Sequence, residues 1–450
     1  TLAAPPVFDN SAVVPYLPND EYFVHQFNLH NTGQLCNDGN YGTPDADIDA
    51  PEAWSISLGD PSIVVAVLDY GVTDNHVDLP SSRQLRLPGS NFLYATPGLN
   101  APYNDPNNPT PILQSAKQHH GNACAGVVAA EDNDEGIIGV APLCKVMPVR
   151  INSGTFESVA ESVTFAVDNG ANVISASFGK SDAEPNLNAT MVTALQDAIQ
   201  NNVTVVFATG NDANHSPYPS ANNPNSIYLD GTVAFPANAD VPHLIAVGAS
   251  DRNDQQANYS ATSEDVDICA TSSTDQFATI PNEKPNVWSL DLPGDFGLND
   301  NPVGVFLPST SSIPDRHMEY TGRFGGTSAA APEVAGVAAL MLSVNPCLSP
   351  AQVTSLLYQT TDKVGGYNYN WNPNRPGHSR ERGHGRLNAY NAVYAAQQMQ
   401  SATLDLQVRD TPNDFGIEPN TISDYFWRSE DIWVRNAPDG ITEHPNPAFT

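Results

Sequence analysis

Short, mostly apolar, strand-like runs recur along this chain at residues 63–68, 146–151, 173–177, 203–208 and 244–247. The first, Ile63-Val64-Val65-Ala66-Val67-Leu68, contains no polar position at all. A strand with one wet face alternates, so an unbroken run of this length marks a strand buried on both faces, as in a parallel sheet. Helical patterns at residues 158–169, 189–201, 333–343 and 351–359 fall between and after these runs. Strands alternating with helices predict an α/β fold, a mostly parallel β-sheet flanked by helices on both faces. The 450 residues suffice for a large core with appendages.

Chemistry-bearing residues sit where such a sheet gathers its function. The first run ends at Asp69-Tyr70-Gly71-Val72, which puts an acid at the carboxyl end of a parallel strand. His119-His120-Gly121-Asn122-Ala123-Cys124-Ala125-Gly126 reads as a histidine opening a helix of small residues. Phe324-Gly325-Gly326-Thr327-Ser328-Ala329-Ala330-Ala331-Pro332 sets a serine between a glycine turn and an apolar helix from about residue 333. A serine there has unpartnered backbone N–H groups and the positive end of the helix dipole around it, which suits a nucleophile generating an oxyanion. Taken alone, the same segment also reads as an ordinary Ser/Thr helix cap. The order Asp, His, Ser is one of three known arrangements of the hydrolytic triad.

With these motifs in register, the chain resembles the subtilisin-like serine peptidases over roughly residues 23–400. Ala66-Val67-Leu68-Asp69, Gly139-Val140-Ala141-Pro142, Ala208-Thr209-Gly210-Asn211, Ile245-Ala246-Val247-Gly248-Ala249 and Gly383-His384-Gly385-Arg386-Leu387-Asn388-Ala389 look like further family segments. The resemblance implies a serine endopeptidase working through an acyl-enzyme. Ser328 would be the nucleophile, His120 its general base and Asp69 the group that orients the imidazole. Asn211 would donate to the oxyanion; as a bare residue type it also suits a turn. By the same resemblance Ser153, Gly154, Ser177, Phe178 and Gly179 would flank an extended peptide substrate. Ala234 would floor a pocket for a large apolar P1 side chain, with Asp212 at its rim. Broad specificity is expected otherwise. Tyr70, Asn122, Cys124 and Glu333 depart from the usual family pattern. Tyr70 is expected to remove a hydrogen bond to Asp69, and His119 reads as an exposed neighbour of His120. A degenerate member that only binds peptides, and acyl transfer to a nonpeptide ester or in macrocyclisation, are the rival readings.

Glu131-Asp132-Asn133-Asp134-Glu135-Gly136-Ile137 matches the position of a calcium loop in many family members. Carried over, the Ca²⁺ ligands are Glu131, Asn133, Glu135 and Ile137 from the loop, with Asp78 and Asp20, an oxygen-only set of the kind calcium takes. A solvated acidic turn is the alternative. Tyr103-Asn104-Asp105-Pro106-Asn107 is a second, weaker candidate.

Fifty acidic against 18 basic residues give a net charge of −32, which argues against nucleic acid and anionic membranes as partners. No run approaches the apolar length of a membrane span. Proteins and peptides as substrates, a secreted location and a monomer are expected, and Thr1 opening no leader reads as a processed or recombinant chain. Five cysteines lack metal-like spacing, and two disulfides with Cys124 left as a thiol are compatible with that location. The expected domains are an extended arm at 1–22, the peptidase domain at 23–400 and a β-type appendage at 401–450, compatible with the start of a truncated β-sandwich. Polar stretches at 211–234 and 272–324 read as cleft-shaping loops or as tolerated surface insertions.

Overall fold

The computed structural model describes residues 13–36, 40–92, 105–111, 119–151, 155–180, 188–213, 233–274, 287–293, 297 and 319–402, with short strands at Arg435–Asn436 and Gly440–Ile441. Its centre is a six-stranded parallel sheet built from β1 (Val64–Asp69), β2 (Lys145–Arg150), β3 (Val173–Ala176), β4 (Thr204–Ala208), β5 (Ile245–Ser250) and β6 (Ile268–Thr271). The spatial order is β2-β1-β3-β4-β5-β6, with Leu68 beside Val149 and Ala176 in register. Successive residues of each strand feed two cores. Val65, Val67 and Val206 join one, while Val64, Ala66, Leu68 and Phe207 join the other. That division explains why these strands are buried at every position but Lys145 and are mostly apolar.

Seven α-helices cover the two faces among the described residues: α1 (Ala50–Trp54), α2 (His120–Ala129), α3 (Phe156–Asp168), α4 (Ala189–Gln200), α5 (Thr327–Val344), α6 (Pro350–Gln359) and α7 (Ala389–Ala402). Helices α1, α2, α5, α6 and α7 contribute to the first core, α3 and α4 to the second. Side-chain caps start three of them: Thr155 for α3, Asn188 for α4 and a Ser349–Gln352 capping box for α6. Contrary to the sequence reading, one helix, α5, is apolar and long enough by composition to cross a membrane, yet 89% of it is buried inside this fold. It is the core helix.

The chain leaves β1 for β2 on one side, then crosses over to β3 on the other. That reversal makes the carboxyl ends of β1 and β3 the crevice where an open α/β sheet binds and reacts. Two further findings differ from expectation. Helix α5 begins at Thr327 rather than near residue 333, so Pro332 lies inside it. The polar stretch at 272–324 contains an antiparallel pair, β7 (Val287–Leu290) and β8 (Tyr320–Phe324), packed against α2. Residues 214–232 and most of 401–450 lie outside the described residues; within the latter only the Arg435–Asn436 and Gly440–Ile441 pairing is described beyond α7.

Candidate active site

Asp69 is the last residue of β1 and is 3% exposed; His120 is the first of α2. Backbone proximity brings them together. A Cβ at Gly121 would collide with the Gly71 carbonyl and one at Gly71 with the Pro109 carbonyl, so the Asp turn and the His helix meet only through glycines. His120 Nδ1 lies 2.8 Å from Asp69 Oδ2 and 3.0 Å from Oδ1. An anionic carboxylate accepts, so Nδ1 carries the proton and Nε2 is left as the proton acceptor. Burial works against the imidazolium, but the facing Asp69 carboxylate outweighs it and holds the imidazole well above its ordinary pKa.

The second layer replaces what the departures removed. The Tyr70 side chain offers Asp69 no bond, but its backbone N–H donates to Oδ1 at 2.8 Å, and the Cys124 thiol reaches Oδ2 at 3.5 Å. The Tyr70 ring stands edge-on to His120, as do Phe324 at 5.5 Å and His119 at 6.5 Å between centroids. His119 is thus half-buried against the site instead of exposed. Asn122 is fully used: its amide accepts from the Thr73 N–H and donates to Thr73 Oγ1 and the Asp291 carbonyl, tying the Asp turn to α2.

Ser328 is the second residue of α5, following Gly326 at φ 74°, and is 8% exposed. Pro332 has no N–H to give the Ser328 carbonyl four residues back. Ser177 Oγ, at 3.0 Å, and Cys124 Sγ, at 3.7 Å, take that carbonyl instead. This is why proline is tolerated within the helix. Ser328 Oγ donates to the Ser177 carbonyl at 3.3 Å, and no hydrogen bond joins it to His120 in this arrangement. Catalytic hydrogen bonds are commonly looser before substrate binds.

Asn211 follows β4. Its Oδ1 accepts from Thr327 N at 2.8 Å and Thr327 Oγ1 at 2.9 Å. The backbone N–H can only donate, so the amide orientation is fixed and Nδ2 remains as a donor beside the serine turn. Thr327 was not singled out from sequence; the Gly-Thr-Ser spacing was the available signal.

Ser177, Gly179 and Ala234 also gather here. A Cβ at Gly179 would press on Ala234 Cβ at 2.7 Å, and one at Gly210 at 3.1 Å, so Ala234 is wedged between the two glycines. Phe178 turns its ring edge-on to Phe207, 5.6 Å between centroids. Asp212 is exposed. Ser153 and Gly154 lie outside the described residues.

At the candidate calcium loop, Asp78 Oδ2 accepts from Ile137 N at 2.9 Å and Oδ1 from Asn133 Nδ2 at 3.2 Å. Asp20 Oδ1 accepts from Asn133 N at 3.3 Å, while its Oδ2 is buried with no partner. Burial pushes both carboxyls up to about 7. An orphaned carboxylate oxygen and two buried acids raised by desolvation fit a cation. Asn133 Oδ1 accepts from Glu135 N at 3.0 Å, and its second lone pair is what it could offer a cation. The Glu131 side chain pairs with Arg83, and that of Glu135 is exposed, which leaves their backbone carbonyls as donors. In the weaker candidate, Asp105 Oδ1 is occupied by Asn107 N within a turn, and Tyr103 and Asn104 lie outside the described residues.

The disulfide expectation is not borne out: no disulfide joins any of the five cysteines. Each buried one has its own polar neighbour, Cys124 at the Asp69–His120 pair, Cys144 at Ser343 Oγ and Cys269 at the Gly385 carbonyl. Cys347 is exposed.

Residues 60–395 match the model of the subtilase family, Peptidase_S8. A calcium-dependent protease of Nostoc sp. is 30% identical over 80% of this chain and 50% of its own length, so the chain spans about half of that relative. Thermitase of Thermoactinomyces vulgaris is 29% identical over 84% of this chain and 99% of its own. Among solved structures, a protease of Pseudoalteromonas arctica superposes with a TM-score of 0.60 at 27% identity, covering 84% of this chain and 99% of that one. With a family match over most of its length and an Asp, His and Ser brought to one end of a parallel sheet, the chain belongs to the subtilase family.

Proposed function

We propose that this chain is a secreted serine endopeptidase that hydrolyses protein substrates through an acyl-enzyme on Ser328. One observation carries the reading. Cys124 Sγ lies 3.5 Å from Asp69 Oδ2, 3.7 Å from His120 Nδ1 and 3.7 Å from the Ser328 carbonyl, so three sequence-distant elements converge within one side chain's reach. Ser328 Oγ rotates from the Ser177 carbonyl toward Nε2 and attacks the scissile carbonyl as His120 takes its proton. Asp69 stabilises the resulting imidazolium. The Ser328 N–H and Asn211 Nδ2 receive the oxyanion. His120 then protonates the leaving amine, and water repeats the sequence to release the acid. The backbone after β3 pairs with the extended substrate, and the small Ala234 leaves room for a large apolar P1 residue.

The Nostoc relative is named for calcium dependence. Here Asp20, Asp78, Asn133 and the carbonyls of Glu131, Glu135 and Ile137 would hold Ca²⁺, which supplies charge neutralisation to the fold and takes no part in the reaction. The test is casein hydrolysis by the chain and by Ser328→Ala, with cleavage-site mapping. Activity lost in the variant and cuts after bulky apolar residues are expected. Folded wild type that binds peptide without cutting it would favour a binding module, and cyclised product a transferase.

A further inference from the structure

Glu333 is wholly buried on α5, five residues beyond Ser328, and no step of the reaction uses it. Its carboxyl bridges two other parts of the fold. Oε2 accepts from Thr271 N at 3.1 Å, at the end of β6, and Oε1 accepts from Asn28 Nδ2 at 2.8 Å. The residues after Thr271 hold the serine turn. Ser272 Oγ donates to the Gly326 carbonyl at 2.8 Å, and Ser273 Oγ accepts from Gly326 N at 3.4 Å. Tyr259, buried beneath them, has its hydroxyl 2.8 Å from the Ser273 carbonyl, to which its single proton can be donated, and 3.0 Å from Ser272 Oγ. Gly326 directly precedes Thr327, which fixes the Asn211 amide, and Ser328.

These bonds close a ring. Helix α5 carries Glu333, Glu333 holds the end of β6, and the end of β6 holds the residue that launches α5. We propose that Glu333 is a positioning residue for the nucleophile, setting the height of the Gly326–Ser328 turn against the sheet and so aligning Ser328 N–H with Asn211 Nδ2. The role needs a planar group with an acceptor for Thr271 N and a polar partner for Asn28, whose Oδ1 is buried without one. A glutamine supplies both once the Asn28 amide turns over; an alanine supplies neither.

The proposal rests on Ser328 being the nucleophile, which loss of hydrolysis in Ser328→Ala tests separately. Glu333→Ala, Glu333→Gln and Ser272→Ala would be assayed on a chromogenic peptide, with kcat expressed per active site titrated by a serine-directed phosphonate. Glu333→Ala is expected to lose about 10–100-fold in kcat with KM within about 2-fold, the signature of misplaced reacting groups. Glu333→Gln should recover most of that loss. Ser272→Ala cuts the same ring without touching the buried carboxyl, and should lower kcat per site about 5-fold or more with KM kept. It also carries the test if Glu333→Ala fails to fold. A merely structural Glu333 would lower the titrated fraction and melting temperature while leaving kcat per site unchanged. That result, a Glu333→Gln as impaired as Glu333→Ala, or a Ser272→Ala with wild-type kcat, would overturn the proposal.

Discussion

Replacing Asn211 by aspartate separates its two jobs. The Asn211 oxygen is committed to two bonds from Thr327, at 2.8 and 2.9 Å, and a carboxylate oxygen accepts both equally well. Only the other atom changes, from an N–H donor to a negative oxygen. Folding and substrate binding should therefore be nearly untouched, while the transition state loses a donor and gains a repulsive charge. In subtilisin the loss of one such donor costs about 10²–10³ in kcat, or roughly 2.7–4 kcal/mol. Asn211→Asp is expected at or beyond the larger value, with KM changed by less than about 3-fold, since uniform binding is not what is lost. Thr327→Val is the control for orientation. It removes the Oγ1 bond but keeps the N–H, and should cost no more than about 1.5 kcal/mol, roughly 10-fold. Steady-state kinetics on a peptide amide, with melting curves alongside, measure all of this. An Asn211→Asp enzyme with more than about a tenth of wild-type kcat would refute the reasoning, as would a loss appearing mainly in KM.

Other outcomes follow from the titratable groups. Asp20 and Asp78 are held up to about 7 by burial, so between about pH 4 and 7 the metal-free folded state keeps protons that the unfolded chain has released. Stability without metal should fall as pH rises through that window. Melting curves of Ser328→Ala in chelator should show the fall, excess calcium should remove it, and rising chelator-state stability would count against the site. His120 is raised above its ordinary value, so the acidic limb of kcat/KM should titrate above pH 6.5. A limb centred below 6.5 would contradict the Asp69 pairing as the dominant influence.

The central strands were legible because both faces are buried, which leaves no polar position in residues 63–68 and only Thr204 in residues 203–208. Strand β6 was not, because Ile268-Cys269-Ala270-Thr271 is too short to stand out from the polar residues after it. The start of α5 was misplaced through Pro332, a residue that normally marks a first turn. Here Ser177, just after β3, and Cys124 of α2 satisfy the carbonyl that proline abandons, and no local pattern reveals such distant substitutes. The Asp-x-Gly and His-Gly motifs were readable because Gly71 and Gly121 answer to close backbone approaches, and Gly-Thr-Ser because Gly326 takes a positive φ against the Asn211 side chain. The cysteines misled: five in a chain expected to be secreted suggest bridges, yet three are buried in separate surroundings, Cys347 is exposed, and all five are free thiols.

The central claim is that Ser328 is a nucleophile activated by His120. Reaction of the intact chain with a serine-directed phosphonate, followed by peptide mapping by mass spectrometry, tests it most directly. One adduct per chain on the peptide bearing Ser328, absent from Ser328→Ala and slowed by at least about 10²-fold in His120→Ala, is the expected result. Labelling on any other residue, or peptide hydrolysis that persists in Ser328→Ala, would contradict it.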